Sequence, residues 1–317
     1  MTRVKRMLVS FLLITALAAC GGHDNSSESD ASKPAVALIM KSLANEFFSD
    51  MAQGAKDHHS KHSNEYNLII NGIKNESDLA QQVALIDQMI SARVNAIVIA
   101  PADSKAILPA LARASAAGIV VINIDNKLDE TALADYGVSI PFVGPDNRAG
   151  ARIVGDYLAG QLNPNDKTAI LEGIPSAYNS MERRIGFEQA AIAAGLDIVS
   201  IQSAAWDQAK AAEITAAMLI SHPDLKGIFC ANDNMALGAA SAAKQAGRMD
   251  IKIAGFDNIN AIHPAIRSGQ VVATADQHAD QLAVFGIETA LSIIHGSVNE
   301  SDRVTPVDLV IDDGLVQ

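Results

Sequence analysis

Short apolar runs alternate with longer amphipathic segments along the chain from residue 35 onward. The runs predict β-strands at Ala35–Met40, Tyr66–Ile70, Ala96–Ala100, Ile119–Ile124, Thr168–Glu172, Asp197–Ile201, Gly227–Cys230 and Ile251–Gly255. Apolar residues at helical spacing predict helices at Glu46–His59, Ser77–Ala92, Lys105–Ala117, Arg148–Gln161, Met181–Ala194, Gln208–His222 and Met235–Gln245. This alternation is typical of parallel sheets with helices on both faces. The pattern therefore predicts an α/β fold built from doubly wound parallel sheets.

Polar residues follow several of the predicted strands at the point where each strand ends. They are Lys41, Asn45, Asp103, Asp125-Asn126, Asn232-Asp233 and Asp257-Asn258. Ligands bind outside the carboxyl ends of the strands in open parallel sheets, so we expect a cleft lined by carboxylates and amides. Such groups form paired hydrogen bonds with neighbouring hydroxyls. Asp and Asn are also good helix N-caps, and Asp103 and Asp233 are interpreted as caps.

Aromatic residues are scarce, at 4% of the chain, so their positions are informative. Phe47 and Phe48 follow the first strand, and Trp206, the single tryptophan, lies in a polar loop after the Asp197–Ile201 strand. A flat ring can stack on the C–H face of a sugar while polar groups bind its hydroxyls. The alternatives are a surface plug at a helix start for Trp206 and core packing for one of the two phenylalanines.

The first residues predict an export signal. Arg3, Lys5 and Arg6 precede the apolar stretch Met7–Ala19, which is shorter than the roughly 20 residues that span a bilayer. A basic start with an apolar core of this length is typical of a secretory signal, here 1–19. The stretch ends in a segment that resembles a bacterial lipobox, in which cleavage precedes the cysteine, here Cys20, and its sulfur carries a lipid.

Residues 20–34 predict a polar tether between a lipid anchor and the folded part of the chain. Ordinary cleavage after Ala18 is the alternative to lipidation. The one other cysteine, Cys230, lies in an apolar strand and is interpreted as a core thiol. An exported chain with one remaining thiol has no internal disulfide, so its stability depends on the burial of its core.

The charge and the missing motifs exclude several classes of function. A net charge of −12 disfavours nucleic acid and anionic lipid. The sequence has no Gly-rich phosphate loop of Rossmann or P-loop spacing, no Gly-x-Ser-x-Gly motif and no Cys/His zinc spacing. His58 and His62 are four residues apart, but we interpret them as a solvated helix face. We therefore expect no catalytic residue, no cofactor and no metal, and conclude that the protein is not an enzyme.

Seven segments occur together in one order along the chain. They are ALIMKSLANEFF (37–48), DNKLD (125–129), RRIGF (183–187), AWD (205–207), CANDNMALG (230–238), GFDN (255–258) and ATADQ (273–277). Together they resemble the periplasmic sugar-binding proteins of the ribose, allose and galactose type, which deliver ligands to ABC transporters. The resemblance extends from Ala35 to the C-terminus.

The resemblance implies two similar doubly wound parallel-sheet domains joined by three crossovers, the type 1 periplasmic binding fold. The N-terminal lobe would comprise 35–143 and 277–304, and the C-terminal lobe 144–276 and 305–317. The hinges would lie at 143–145, at 276–277 and near 305–306. Gly144 suits a hinge because glycine absorbs backbone rotation.

The family's ligand contacts fall on a defined set of positions. They are Lys41, Asn45, Phe47, Phe48, Asp125 and Asn126 in the first lobe, Arg183, Trp206, Asn232 and Asp257 in the second, and Gln277 at the hinge. The aspartates would accept from hydroxyl pairs, and Lys41 and Arg183 would donate to oxygens. A solvated charge at the cleft edge is the alternative for Lys41.

The ligand implied by the resemblance is a monosaccharide or sugar alcohol. Lys41, Lys127 and Trp206 look more like the allose-binding type, which favours a hexose such as allose. Asn126 and Glu46 depart from that type, because an acidic residue and a proline stand at those positions there.

The expected partners are a small polyhydroxylated ligand, the permease subunits of an ABC transporter and a membrane, through the lipid on Cys20. The protein would be a monomer in the periplasm. A receptor for a furanose-like signalling molecule, or a binding protein that feeds chemotaxis, is the alternative with the same fold. A repressor of the lac type would need a DNA-binding headpiece where the leader stands.

Overall fold

The computed structural model describes residues 33–297 and 301–311. The predicted signal (1–19), Cys20 and the predicted tether up to residue 32 lie outside the described residues. None of the helices within the described ranges has the length and apolar content needed to cross a membrane.

The described residues alternate strand and helix. The strands are β1 (Ala35–Ser42), β2 (Asn67–Ile73), β3 (Ala96–Ile99), β4 (Val120–Ile124), β5 (Phe142–Pro145), β6 (Lys167–Glu172), β7 (Asp197–Ser203), β8 (Leu225–Cys230), β9 (Lys252–Ala254), β10 (Thr274–Asp276), β11 (Arg303–Thr305) and β12 (Asp308–Val310). The helices are α1 (Glu46–Lys61), α2 (Leu79–Ser91), α3 (Leu108–Ala116), α4 (Glu130–Asp135), α5 (Asn147–Ala159), α6 (Tyr178–Ala193), α7 (Gln208–Ser221), α8 (Asp233–Gln245), α9 (His263–Arg267) and α10 (Ala279–Ile294). A 3-10 turn, Asn260–Ile262, directly precedes α9.

The first sheet is parallel throughout and has the strand order β11-β5-β4-β3-β1-β2. Strand β1 shows why both faces are apolar. Val36, Leu38 and Met40 pack into a core shared with α1 and α10, whereas Ala37 and Ile39 pack into a second core with α2 and α3. Successive side chains of a strand point to opposite faces, so a sheet covered on both sides needs a continuous apolar run.

The second sheet has the order β7-β6-β8-β9 and is also parallel. Its strands follow the same sequence of positions as β2-β1-β3-β4 in the first sheet. Helices α5 and α6 pack against each other, as do α7 and α8, and β10 pairs antiparallel with β12. We call the first sheet with α1–α4 and α10 the first lobe, and the second sheet with α5–α9, β10 and β12 the second lobe.

The chain passes between the two sheets more than once. It leaves the first sheet after β5, returns to it after β10, and leaves it again after β11. At the first of these passages, Gly144 lies in β5, where an added Cβ would overlap with the ring of Phe142. The glycine therefore makes room for a neighbouring side chain.

The predicted α/β fold of parallel sheets is confirmed, with local differences. Strand β2 continues to Ile73, three residues beyond its predicted end, and α6 begins at Tyr178, three residues before its predicted start. Strand β5 was not predicted, because glycine and proline are depleted in strands and its sequence ends in Gly144-Pro145. The strands that follow α9 are only three residues long, too short to show a period.

Helix α6 packs closely on α5 at a glycine, which gives a test of the fold. A Cβ on Gly186 would overlap with the carbonyl oxygen of Arg148 and lie 2.9 Å from the Cβ of Ala151. We expect Gly186→Ala to lower the free energy of unfolding by about 1–3 kcal/mol, because overpacking forces the helices apart. Thermal denaturation measures this loss. Gln189→Ala, at an exposed position of the same helix, should change stability by less than about 0.5 kcal/mol. Equal stability of the two variants would contradict the packing described here.

Candidate ligand-binding site

A small cavity lies between the carboxyl ends of the two sheets. It is lined by Lys41, Asn45, Phe47, Phe48, Glu76 and Asp125 from the first lobe and by Asn179, Arg183, Trp206, Asn232 and Asp257 from the second. All of the predicted contact residues except Asn126 and Gln277 line it. The empty volume is about 240 Å³.

Lys41 supplies one positive charge at the end of β1. Its Nζ lies 3.1 Å from Oδ2 of Asp125 and 4.0 Å from Oε2 of Glu76. Only 3% of Lys41 is exposed, so the alternative of a solvated charge at the cleft edge is wrong. Burial raises the pKa of Glu76, while the charge of Lys41 and a hydrogen bond from Asn45 act in the opposite direction.

Arg183 supplies the second positive charge and is 2% exposed. Its Nε donates to Oδ1 of Asn147 at 2.8 Å, and its Nη1 donates to the carbonyl of Ala231 at 2.9 Å and to Oδ1 of Asp257 at 3.3 Å. The guanidinium also lies 3.8 Å from the centre of the Phe256 ring. Hydrogen bonds and ring stacking fix the plane of this group in the cavity wall.

Asp257 faces Arg183 from the loop after β9. Burial raises its pKa to about 7, the nearby charge of Asp125 adds to this shift, and Arg183 opposes it. Gln277 does not line the cavity, and its Nε2 donates to Oδ1 of Asp257 at 2.8 Å. Gln277 thus positions the carboxylate that lines the cavity.

The charges of the cavity nearly balance. Two cationic side chains, Lys41 and Arg183, face three carboxyl groups, Glu76, Asp125 and Asp257, and two of these carboxyl groups have raised pKa values. A cavity with little net charge favours an uncharged ligand, because an ion entering it would lose its hydration without meeting an unpaired counter-charge.

Three of the lining residues have a left-handed backbone. The φ angles are 62° at Asp125, 68° at Trp206 and 119° at Asp257. At Asp125 the N–H of Asn126 donates to the carbonyl of Ile124 at 2.8 Å, which makes a γ-turn of the rare form with positive φ at its centre. Such conformations persist where the surroundings hold them, and they cluster at ligand sites.

Trp206 forms one wall of the cavity and is 5% exposed, so the alternative of a surface plug is wrong. Its ring lies 5.7 Å from Cζ of Arg183 and 5.8 Å from Nζ of Lys41. A Cβ on Gly173 would overlap with the ring, so this glycine allows the indole to lie against the backbone after β6.

Phe47 and Phe48 lie opposite, at the start of α1, in an edge-to-face arrangement with ring centres 5.1 Å apart. Both are buried in the core shared with α10, and both also line the cavity. Each ring therefore packs in the core and also forms part of the cavity wall.

Several buried polar atoms around the cavity have no hydrogen-bond partner in the protein. They include Oδ1 of Asn179, Nη2 of Arg183 and Nε1 of Trp206, all on residues that line the cavity. A buried polar atom without a partner costs about 1–3 kcal/mol, so a polar ligand that bonded such atoms at a cavity wall would gain from each bond. The set contains both donors and acceptors, which a ligand rich in hydroxyls would complement.

Comparison with known proteins matches residues 36–297 to the periplasmic binding protein domain. The chain belongs to the periplasmic binding protein family. It is 50% identical to the D-ribose/D-allose-binding protein of Pseudomonas aeruginosa over 283 residues, which cover 88% of this chain and 89% of that protein.

Two solved structures are similar over almost all of their length. An ABC transporter solute-binding protein from Burkholderia multivorans, whose unknown ligand is represented by α-D-erythrofuranose, has a TM-score of 0.86 and 50% identity, and the match covers 88% of this chain and 100% of that one. A periplasmic solute-binding protein from Actinobacillus succinogenes with bound D-allose has a TM-score of 0.85 and 34% identity, with 89% and 99% covered. These relatives are solute-binding proteins of transporters, so the prediction that the protein is not an enzyme is confirmed.

Asn126 has a different place in this binding protein from the one that the family resemblance implied. It is fully buried and does not line the cavity. Its Oδ1 accepts from the N–H of Asn179 at 3.2 Å and from Oγ of Ser104 at 3.4 Å, and its Nδ2 donates to the carbonyl of Pro101 at 3.0 Å. Both ends of the amide are used within the protein, so Asn126 joins the two lobes.

Glu76 and Asn179 line the cavity and were not predicted. Glu76 follows β2, and Asn179 is the second residue of α6. Both lie beyond strand ends of the type that revealed the other residues. These two residues were missed because the predicted end of β2 was too early and the predicted start of α6 was too late.

The predicted helix caps are confirmed only in part. Oδ1 of Asp103 accepts from two backbone N–H groups, at 2.8 Å each, in the turn before α3. Asp233 is not a cap. Asn232 caps α8, whereas the carboxylate of Asp233 accepts from Oγ1 of Thr274 at 2.7 Å and from the N–H of Ile259 at 3.0 Å. Burial raises the pKa of Asp233 well above its usual value.

The described residues contain no group of three or more His, Cys, Asp or Glu placed to hold a metal ion. The rings of His58 and His62 stack with centres 4.4 Å apart, and Nδ1 of His58 lies 2.9 Å from the hydroxyl of Tyr66. His58 therefore packs against Tyr66, whereas the side chain of His62 is 39% exposed and pairs with Glu65, so this face of α1 is solvated in part. Cys230 is a buried free thiol, as predicted, and burial raises its pKa.

The single tryptophan makes the cavity wall observable. We expect Gly173→Ala to displace the ring of Trp206, because the added methyl group overlaps with it. The fluorescence emission of the unliganded protein should then shift to longer wavelength as the indole meets water. Gly160→Ala, at the end of α5, should leave the spectrum unchanged. An unchanged spectrum in Gly173→Ala would contradict the contact between this glycine and the ring.

Proposed function

We propose that this protein is the extracytoplasmic solute-binding protein of an ABC transporter and that it captures an uncharged monosaccharide. The observation that carries the proposal is the set of buried, unpartnered donors and acceptors around a nearly neutral cavity with an indole wall. Sugar hydroxyls donate and accept, and the C–H face of a sugar ring matches an aromatic ring. The family membership supports transport as the end use.

We propose a sugar of the ribose and allose type as the ligand. The relative from P. aeruginosa is named for both sugars, and a structure at 34% identity holds D-allose. D-Allopyranose has the ring hydroxyl configuration of D-ribopyranose and one further CH2OH group, so one set of hydroxyl contacts can serve both. Asp125 and Asp257 would accept from hydroxyls, and Nη2 of Arg183 would donate to an oxygen of the ligand.

Titration calorimetry with sugars of matched configuration tests this proposal. D-Ribose and D-allose should bind, whereas D-xylose and D-glucose, which invert one ring hydroxyl at C3, should bind at least 100-fold more weakly. The reason is that an inverted hydroxyl leaves buried polar atoms unpaired, and this loss corresponds to about two powers of ten in affinity. Equal binding of the epimers would contradict the proposed contacts, and absence of binding by all four would overturn the ligand class.

We propose that the first lobe and the second lobe move as bodies about the three passages between the sheets. Lining residues from both lobes support this, because the ligand can contact all of them only when the lobes are together. A ligand that binds the closed form better shifts the balance toward it. A permease that recognises the closed form would receive only loaded protein.

We also propose that the protein is a monomer held at the membrane by a lipid on Cys20. The support is the lipobox-like end of the leader and the polar residues that follow it. The periplasmic location follows from the family.

Expression of the full chain with Cys20→Ser should move the protein from the membrane fraction to the soluble periplasmic fraction, as judged by immunoblot. If the variant still sediments with membranes, the lipid anchor is refuted.

A second candidate is a receptor for a small furanose-like signal. It is favoured by the B. multivorans structure, whose unknown ligand is represented by α-D-erythrofuranose. Erythrose belongs in the calorimetric panel for this reason, and its binding in preference to D-ribose and D-allose would favour this candidate.

A further inference from the structure

Helix α6 begins without a side-chain cap of its own. Its N-cap residue is Ala177, which has no acceptor in its side chain. The first two N–H groups of the helix are bonded by the other lobe. The N–H of Tyr178 donates to Oγ of Ser104 at 3.0 Å, and the N–H of Asn179 donates to Oδ1 of Asn126 at 3.2 Å.

The 3-10 turn that precedes α9 begins in the same way. Its N-cap residue, Ile259, provides no side-chain acceptor. The acceptor is instead the carboxylate of Glu46, which is the first residue of α1 in the first lobe. Oε1 accepts from the N–H of Asn260 at 3.0 Å, and Oε2 accepts from the N–H of Ala261 at 3.2 Å.

The other long helices of the second lobe differ from these two starts. The N-cap residues of α5, α7 and α8 are Asp146, Asp207 and Asn232. The side chain of each accepts from an N–H group of its own helix. The first four N–H groups of a helix lack partners within it, and a side-chain cap satisfies one or more of them. Of the starts in the second lobe that have no side-chain cap of their own, α6 and the 3-10 turn are therefore capped by the first lobe, and α9 follows that turn directly.

We propose that Glu46, Ser104 and Asn126 are positioning residues that set ligand affinity by capping the second lobe only when the lobes are together. This proposal rests on the proposed hinge closure. None of the three side chains lines the cavity. Their bonds form on closure and exchange for water on opening, so they favour the closed form whatever the ligand is.

The charge of Glu46 makes its cap the stronger of the two. A carboxylate that accepts from backbone N–H groups forms charge-assisted hydrogen bonds, which are stronger than bonds between neutral groups. Oγ of Ser104 has a second bond, because it donates to Oδ1 of Asn126 at 3.4 Å. Ser104 and Asn126 thus act as one unit, and Glu46 acts at a separate start.

This kind of coupling has a signature that ligand contacts do not have. Loss of a cap weakens the closed form alone, so the apparent affinity falls by the same factor for every ligand that requires closure. Loss of a ligand contact changes the affinity for different ligands by different factors. Two ligands of different size therefore separate the two kinds of residue.

The test uses Glu46→Ala, Ser104→Ala and the double variant in the soluble protein that starts at residue 21, with D-ribose and D-allose as probes. Each single variant should weaken both sugars by one common factor, about fivefold for Ser104→Ala and about tenfold for Glu46→Ala, and the double variant by about 50-fold. Glu46→Gln retains one acceptor and should lie between the wild type and Glu46→Ala. Spin labels on the two lobes should report a larger open fraction in the unliganded variants.

The matched controls are Glu213→Ala, which removes an exposed carboxylate in α7, and Ser91→Ala, which removes a hydroxyl bonded within α2. Both should leave affinity and the interlobe distance unchanged, and thermal denaturation checks that every variant is folded. The proposal would be overturned if Glu46→Ala or Ser104→Ala weakened the two sugars by different factors. It would also be overturned if these variants changed neither the affinity nor the interlobe distance. If neither sugar binds the wild type, the proposed ligand has failed, and the interlobe distance of the unliganded variants still decides the capping.

Discussion

A guanidinium group that is almost entirely removed from water constrains the second lobe. Arg183 remains buried because α5 provides Asn147, the end of β8 provides the carbonyl of Ala231 and the loop after β9 provides Asp257. A buried charge is tolerated only with bonded partners, so these elements must meet at one point. One donor nitrogen is left over at the cavity wall. The bonds that hold the lobe together therefore leave this donor free for the ligand contact proposed above.

The first lobe provides the other half of the cavity wall. Its charged residues Lys41 and Asp125 pair with each other beside Glu76. The charged side chains that the two lobes contribute to the cavity are mostly paired within each lobe. The specific contacts between the two lobes are directional hydrogen bonds from backbone N–H groups to Ser104, Asn126 and Glu46. Such bonds lose strength quickly when their geometry changes, which makes the joined arrangement well defined. The left-handed backbone at Asp125 and Asp257 is stable in the same setting.

Much of the fold and of the cavity can be deduced from sequence pattern, because a doubly covered parallel sheet needs apolar strands and exposes the residues that come directly after them. Polar residues at strand ends thus revealed Asp125, Asn232 and Asp257 as cavity residues. The pattern could not give the role of Asn126, because its partner on α6 lies 53 residues away and meets it only in three dimensions. It could not separate Asn232 from Asp233 either. The two are adjacent, and the choice of cap depends on Thr274, which reaches Asp233 from another strand.

The matching strand order of the two sheets extends to the residues that follow their fourth strands. Strand β4 leads into Asp125-Asn126 and β9 into Asp257-Asn258, and in both places the aspartate has a positive φ and lines the cavity. Two copies of one α/β unit, joined one after the other along the chain, would leave this correspondence. The cavity can then be viewed as two half-sites of common design whose amino acids have diverged. A substitution in one half-site can change which sugar is bound while the contacts of the other half-site stay the same. Specificity can therefore change in small steps after a gene duplication.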